Sequence, residues 1–452
     1  MAKQLLVIGG GAAGIFCAVN AARQDPGLRV TVLEKTDKLL SKVKVSGGGR
    51  CNVTHACFDI AGMAAHYPRG QHFVRKAFHR FFTTDTIEWF SSRGVELKAE
   101  ADGRMFPITD SSQTIIDCLM REVNAYGVEI RMHAEVRDVV VRPGGDVVVL
   151  QPGGGAVDEL TAGAPGGPAW GGVPGGAGGR GGAGRGAGDR FEVLLADGRR
   201  LPADFVCVAC GGFPKLGMFD WIRRLGHTVE EPVPSLFTFN MRGNPLTELM
   251  GISVPLAVVK IQGSRLVERG PLLITHWGLS GPVVLRLSAW GARELAAAGY
   301  RFGVQVNWLG EVAEQQARER LQEMRQERAG QGVMARNPFG LPGRLWEHFL
   351  REAGIGANVR WAELPAREQN RLVSLLCAGP FTVEGKTTFK EEFVTAGGVR
   401  LAEVDPATFQ SRKVPGLFFA GEILDVDGIT GGFNFQHAWT GGWIAAETIA
   451  NS

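Results

Sequence analysis

Much that could place a chain in a functional class is scarce in these 452 residues. Seven scattered cysteines are too few for a disulfide framework. No apolar run reaches the roughly eighteen residues of a membrane-spanning helix. Neither sign of charge dominates, since 49 Lys and Arg against 46 Asp and Glu leave a net +3. No basic block with interleaved aromatics is present, so no nucleic-acid partner is expected. The first residues already read as a strand and leave no room for a secretory leader, so the expected location is cytoplasmic. What the chain does have is length for two or three domains and an ordinary 44% apolar content with which to fill their cores.

The two ends are the informative parts. Leu5-Leu6-Val7-Ile8 reads as a buried strand running into Gly9-Gly10-Gly11-Ala12-Ala13-Gly14 and a helix. Gly9, Gly11 and Gly14 fit G-x-G-x-x-G. The first glycine permits the tight turn, the second lets a diphosphate approach the backbone, and the third lets helix and strand pack closely. The helix then points its amides and positive dipole end at phosphate. A second strand, Arg29 to Leu33, ends in Glu34 and Lys35, with Glu34 placed where an acid receives ribose hydroxyls and would repel a 2′-phosphate. Gly176 to Gly181 also fits the pattern, but no strand precedes it and it is discounted. At the other end, Gly416 to Glu422 repeats the plan of apolar strand, glycine and final helix. A dinucleotide domain closed by its own last strand and helix points to FAD.

Between the ends, residues 70–130 read as helical, with Phe73, Ala77, Phe81 and Phe82 at core spacing. Val136 to Val141, Phe191 to Leu195 and Leu201 to Cys210 read as a small meander of strands. Residues 152–188 are glycine-rich with almost no large apolar side chain, and are expected to be a disordered insertion. The spacing Cys207-x-x-Cys210 lies on an apolar strand, where residues three apart face opposite sides, so these are read as core residues and not as a redox pair. From about 214 the character changes. Strands are expected at Leu256 to Ile261, Leu272 to Thr275 and Phe302 to Trp308, and helices from Glu311 to about 378. The expected class is α/β. A glutathione-reductase-type FAD-binding Rossmann domain (1–213 and 386–452) carries an inserted domain (214–385) that is β-rich to about 310 and helical to about 378.

Three further segments are distinctive: Ser46-Gly47-Gly48-Gly49-Arg50-Cys51-Asn52-Val53-Thr54, Thr275-His276-Trp277-Gly278-Leu279-Ser280-Gly281-Pro282, and Gly421-Glu422 through Asp427-Gly428 to Thr430-Gly431-Gly432-Phe433-Asn434. With the N-terminal fingerprint they closely resemble the BaiN-like (YhiN-type) family of FAD-dependent oxidoreductases, which includes aminoacetone-oxidase-like flavoproteins. The resemblance runs the whole chain apart from 152–188. It implies that Gly47, Gly48, Arg50, Cys51 and Asn52 wrap the cofactor, and that backbone around Val136 holds the adenine. It further implies that Gly211, Gly421 and Glu422 reach the ribityl chain or the diphosphate, with Asp425 and Asp427 as further acids nearby. The loop Gly432-Phe433-Asn434 would open the last helix onto the flavin, whose reduced form its dipole stabilises. Cys210 and His55 stand where the family commonly has Thr and Asn.

No second nucleotide fingerprint exists, so NAD(P)H, if it is the reductant, docks transiently. The family's activities imply either reduction of a carbon–carbon double bond conjugated to a ketone, which is preferred here, or oxidation of a small amine. A non-catalytic flavin scaffold is the third alternative. His276 and His437 are candidates near the flavin, yet neither is assigned as proton donor, so no catalytic residue is named and no metal site is assigned. Ser280 lacks the G-x-S-x-G elbow of a hydrolase.

Overall fold

The computed structural model describes residues 2–142, 190–388 and 394–452. The glycine-rich stretch 152–188 therefore lies outside the described residues. Strand β1 (Gln4–Ile8) is buried on both faces, as its unbroken apolar run requires in a parallel sheet with helices on either side. It leads through the glycines into α1 (Ala12–Gln24), then β2 (Arg29–Leu33), α2 (Ser112–Ala125) and β3 (Glu129–Arg131). An antiparallel meander follows, of β4 (Val136–Val141), β5 (Phe191–Leu195) and β6 (Arg200–Ala203). The single strand expected over 201–210 is in fact two. The chain leaves the meander at Asp204, whose carboxylate accepts from the Gln4 N–H at 2.8 Å, and enters the parallel sheet as β7 (Phe205–Val208).

The middle of the chain builds a separate antiparallel sheet. After β8 (Val229–Ser235) come β9 (Thr238–Asn240), β10 (Ser253–Ile261), β11 (Val267–Ile274) and β12 (Gly278–Ser280). Then follow α3 (Pro282–Trp290), β13 (Arg301–Asn307), α4 (Glu314–Glu327), α5 (Gly343–Ala353), α6 (Ala366–Ala378), β14 (Gly379–Glu384) and β15 (Lys386–Thr387). The sheet order is β14–β13–β10–β11–β12–β9–β15. Its core, from Phe237 to Val383, is distinct from that of the parallel sheet. Residues 214–235, expected in this second unit, instead send Phe219, Trp221, Ile222 and Leu225 into the first core, so the change of core falls near residue 236.

The chain returns through β16 (Val394–Val399), paired antiparallel with β8, and β17 (Leu417–Phe419), which completes the parallel order β17–β7–β1–β2–β3. It ends in α7 (Phe433–Ala450). Helices α1 and α7 pack side by side because both present small residues. A Cβ on Gly442 would lie 2.7 Å from the Ala13 carbonyl and 3.1 Å from the Cys17 nitrogen. That close approach brings the starts of both helices to one place.

Candidate functional site

A cavity of about 690 Å³ lies where those helix starts converge, within the roughly 300–1,000 Å³ typical of ligand sites. Its floor is the β1–α1 turn, Gly9 to Ala13. Gly9 has φ +113° and passes so close to the β7 end that a Cβ would sit 2.5 Å from the Ala209 carbonyl. Gly11 is different, because a Cβ there would meet no protein atom within 4 Å. The space above it is open to a ligand, and the amides of the first turn of α1 face that space without a side-chain cap.

At one end stands Glu34. One carboxylate oxygen accepts from the Gly10 N–H at 2.9 Å, and the other from the N–H and hydroxyl of Thr36 at 2.9 and 2.8 Å. These bonds fix the carboxylate facing the glycine turn, with Lys35 and Lys38 beside it on the wall. Opposite the turn run Ala420, Gly421 and Glu422, then Thr430 to Gly432 and Asn434 to Ala438. Glu422 accepts from the Thr395 N–H at 2.9 Å and pairs with Lys42 at 2.5 Å. At the end remote from Glu34, the second unit contributes Thr238, Ser280 and Leu285, joined by Leu236, Val394, Val426 and Ile429.

Of the residues expected from sequence, Gly9, Gly11, Ala13, Glu34, Lys35, Gly47, Gly48, Asn52, Gly211, Gly421, Glu422, Gly432 and Asn434 line this cavity. Asn52, with its amide turned to satisfy both partners, donates to the Thr54 carbonyl at 3.0 Å and accepts from the Gly432 N–H at 2.9 Å. It thereby ties the Ser46–Asn52 loop to the start of α7.

Six expected residues do not line it. Gly14 is packed beneath, its α-carbon face against the Gly9 carbonyl. Arg50 turns away, stacked 3.9 Å from the Phe106 ring centroid and paired with Glu100 at 2.6 Å, because two carboxylates and an aromatic face compete for it. Cys51 is buried with φ +63°, and burial pushes its thiol up to about 12. Val136 sits in the meander, paired with Leu195. Phe433 stacks on the rings of His55 and His66. Asp427 is wholly buried and held by Arg69 and Ser235.

His437 contributes to the wall, but both of its ring nitrogens are buried without a hydrogen-bond partner, and burial pushes its pKa down to about 4. The Gly421 carbonyl is near enough to favour the protonated ring electrostatically, though not in hydrogen-bonding geometry. His276 lies on a separate recess. Sequence reasoning missed Leu236, Thr238 and Leu285, which no motif marks, and Lys42, whose pairing with Glu422 spans 380 residues. Ser280 stood in the distinctive Thr275–Pro282 segment, but the one role weighed for it, a nucleophile, was rejected. Among the described residues no group of three or more His, Cys, Asp or Glu side chains could hold a metal, and no helix is long and apolar enough to cross a membrane.

These features fit FAD: a glycine floor with open space where a diphosphate would lie, an acid oriented at one end, and an apolar chamber at the other. Comparison with known proteins agrees. Residues 3–173 match the HI0933-like protein Rossmann domain, and residues 233–394 the HI0933-like protein barrel and H2TH domain. The chain is 28% identical to a 3-dehydro-bile acid delta(4,6)-reductase of Clostridium scindens, with 98% of each chain covered. It is 30% identical to a ribosomal RNA dihydrouridine synthase of Escherichia coli, over 98% of this chain and 97% of that one. Among solved structures, a 3-ketosteroid-delta4-(5alpha)-dehydrogenase of Rhodococcus jostii RHA1 aligns at 13% identity and TM-score 0.49, covering 100% of this chain and 97% of the other. The chain belongs to the HI0933-like (BaiN/YhiN-type) family and is an FAD-dependent oxidoreductase.

Proposed function

We propose that the protein saturates a carbon–carbon double bond conjugated to a carbonyl in a small-molecule substrate, with NADH or NADPH as the source of reducing equivalents, in the cytoplasm. The observation that carries this reading is the chamber at the inserted-unit end. Leu236, Leu285, Val394, Val426 and Ile429 make it apolar, and Thr238, Ser280 and Thr430 supply hydroxyls. FAD, when bound, supplies the hydride chemistry. The apolar wall excludes water from that chemistry, and the hydroxyls are suited to hold a carbonyl oxygen and pass a proton. Of the cavity residues that the second unit contributes, none is ionisable. A neutral enone suits such a wall better than a cationic amine, which would require a carboxylate: Glu34 is held by the Gly10 N–H and Thr36, Glu422 is paired with Lys42, and the buried Asp427 is committed to Arg69. Adenosine would lie at Glu34 and the diphosphate over Gly11. The cavity-lining residues named above are the cofactor contacts we assign.

A second reading keeps the chemistry and changes the substrate. Two relatives, 30% and 29% identical, are named ribosomal RNA dihydrouridine synthase, and the double bond of a uracil ring is also conjugated to a carbonyl. Against an RNA substrate, the helical segment 311–378 balances ten Arg against nine Glu, a net of only +1.

The test is an anaerobic titration of the holoenzyme with NADH and NADPH, following the visible flavin band. The reduced protein is then mixed separately with a cyclic enone and with a uridine-containing ribosomal RNA fragment. Bleaching by a nicotinamide nucleotide and recovery with the enone support the first reading. Recovery with RNA alone supports the second. Bleaching by a small amine, but by neither nucleotide, sinks both.

A further inference from the structure

Residues 52 to 55 each bond to the segment 431–439 that carries the start of α7. Asn52 accepts from the Gly432 N–H at 2.9 Å, and the Val53 carbonyl accepts from the Trp439 indole at 3.0 Å. The Thr54 hydroxyl donates to the Gln436 side-chain oxygen at 2.6 Å. The fourth bond comes from His55, whose Nδ1 lies 3.0 Å from the Gly431 carbonyl oxygen. The approach is close, since a Cβ on Gly432 would stand 2.5 Å from the Thr54 carbonyl. Gly431 and Gly432 also wall the cofactor cavity. Of the four residues only His55 can change its charge near neutral pH. An amide or a hydroxyl could hold the turn as well, and neither would titrate.

The geometry lets His55 take a proton without giving up its bond. A carbonyl oxygen only accepts, so Nδ1 carries the hydrogen of the neutral ring. Nε2 has no hydrogen-bond partner among the described residues and is not one of their enclosed, unpartnered polar atoms. It packs beside Gly103, where a Cβ would come within 2.4 Å of it. A second proton therefore goes to Nε2, and the charge strengthens the Nδ1–H bond to Gly431.

The groups that face the ring keep it neutral at rest. His66 and His55 both stack on the Phe433 ring, at 4.5 and 4.7 Å between centroids, and the two imidazoles are 6.1 Å apart. Asp102 and Arg104, paired with each other at 2.7 Å, act on His55 from the neighbouring hairpin. Burial pushes the His55 pKa down, and His66 and Arg104 add to that, while the Gly431 carbonyl and Asp102 oppose it. The positive end of α7 disfavours a cation as well. Negative charge arriving on the cavity side of Gly431 reverses that balance.

We propose that His55 is a positioning residue that fixes the Gly431–Gly432 turn of the cofactor site and takes up a proton when the flavin is reduced. The step balances with water as the proton source. Two electrons pass from the electron donor to the flavin, and Nε2 binds one proton from solvent. By reciprocity, a proton on His55 favours electron entry. The assignment needs FAD in this cavity and no particular substrate, so it does not depend on the enone reading.

The test measures the midpoint potential of the FAD-loaded protein between about pH 5 and pH 8, with xanthine and xanthine oxidase as electron source and a reference dye. The slope against pH gives the protons taken up per two electrons. Proton binding tenfold tighter in the reduced state makes the parent exceed His55→Asn by about 0.5 proton at the middle of the window. Asn still donates to the Gly431 carbonyl but does not titrate, so the FAD Kd of His55→Asn should stay within about threefold of the parent. His55→Leu loses the bond and should bind FAD roughly fivefold more weakly. His66→Asn, which alters the neighbouring ring and leaves the bond to Gly431 in place, should keep the parent's slope. Equal slopes in the parent and His55→Asn overturn the proton uptake, and an unchanged FAD Kd in His55→Leu overturns the positioning. A slope lost in His66→Asn and kept in His55→Asn gives the proton to the wrong ring and overturns the assignment. A parent that binds no flavin removes the cofactor and the proposal together, whereas failure to reduce an enone alters none of these readings.

Discussion

Arg69 and Asp427 form a buried, two-armed ion pair between residues 358 positions apart, with Asp427 fully enclosed. The same guanidinium donates to the Ala289 carbonyl at 2.8 Å, and the same carboxylate accepts from the Ser235 hydroxyl at 2.8 Å. Burial pushes the Asp427 carboxyl up, and Arg69 opposes that rise. The pair fastens the loop before α7 to β8 and α3, the elements that flank the chamber. Removing one partner strands a charge, so Arg69→Leu or Asp427→Leu should each cost about 3–5 kcal/mol. The double variant should cost clearly less than the sum. Urea denaturation of the four proteins measures this, and strict additivity would refute the coupling.

The glycines of the fingerprint should separate into two kinds. A Cβ on Gly14 would lie 1.9 Å from the Gly9 carbonyl. Gly14→Ala should therefore destabilise the FAD-free protein by about 3 kcal/mol through overpacking. At Gly11 nothing stands within 4 Å of the added atom. Gly11→Ala should leave the FAD-free protein within about 1 kcal/mol of the parent yet weaken FAD binding by roughly tenfold or more, because only the cofactor meets the new methyl. Thermal melts of the FAD-free protein and FAD titrations read the two quantities separately. Equal FAD affinity in Gly11→Ala would remove the diphosphate from the place assigned to it.

The strand–turn–helix at the N-terminus was legible because its chemistry is local. Gly9 to Gly14 and Glu34 sit within one unit, and each residue has a conformational reason readable in order. Long-range facts were not legible. Asp427 looked like one acid among three near the cofactor, and nothing in its neighbourhood names Arg69 as its partner. Arg50 looked like a cofactor ligand because Glu100, Asp110 and Phe106, which hold it, are remote in sequence. The chamber residues Leu236, Thr238 and Leu285 carry no motif, since an apolar wall is made by where strands meet. The same holds for the boundary near 236, where ordinary apolar residues on both sides go to different cores.

Cys207 and Cys210 should not behave as a redox pair. Cys207 is buried on β7, where its contact with Cys17 and burial both push its thiol well up, and burial pushes Cys210 up to about 12. Neither thiol is a thiolate near neutrality. Cys210→Ala should leave the rate of flavin reduction by its electron donor within about twofold of the parent, since a change of that size is under 0.5 kcal/mol. A reduction rate that collapses in Cys210→Ala but not in Cys57→Ala would restore the redox reading.

Acid should weaken the fold through its buried neutral histidines. His437 has both ring nitrogens buried and unpartnered, and burial depresses its pKa to about 4. His227 is also depressed by burial, although Glu403, 3.1 Å from its Nδ1, works against the effect. A histidine in the unfolded chain titrates near 6.5. Between that value and about 4, the unfolded state therefore binds the proton that folded His437 refuses, and stability rises with pH across the window. The contribution is complete above about pH 7 and is lost as pH falls. For His437 the loss is about 2 kcal/mol by pH 5. His437→Phe should accordingly show a shallower decline between pH 7.5 and pH 5 in urea denaturation than the parent. It should also be at least as stable as the parent at pH 5, because an apolar ring leaves no unpaired donor or acceptor in that site. An unchanged slope would mean that His437 gains a partner the folded chain does not show. Glu403, which Lys413 and Thr228 hold down to about 2 against the opposing effect of burial, loses its contribution only below the ordinary carboxylate range and does not confuse the comparison.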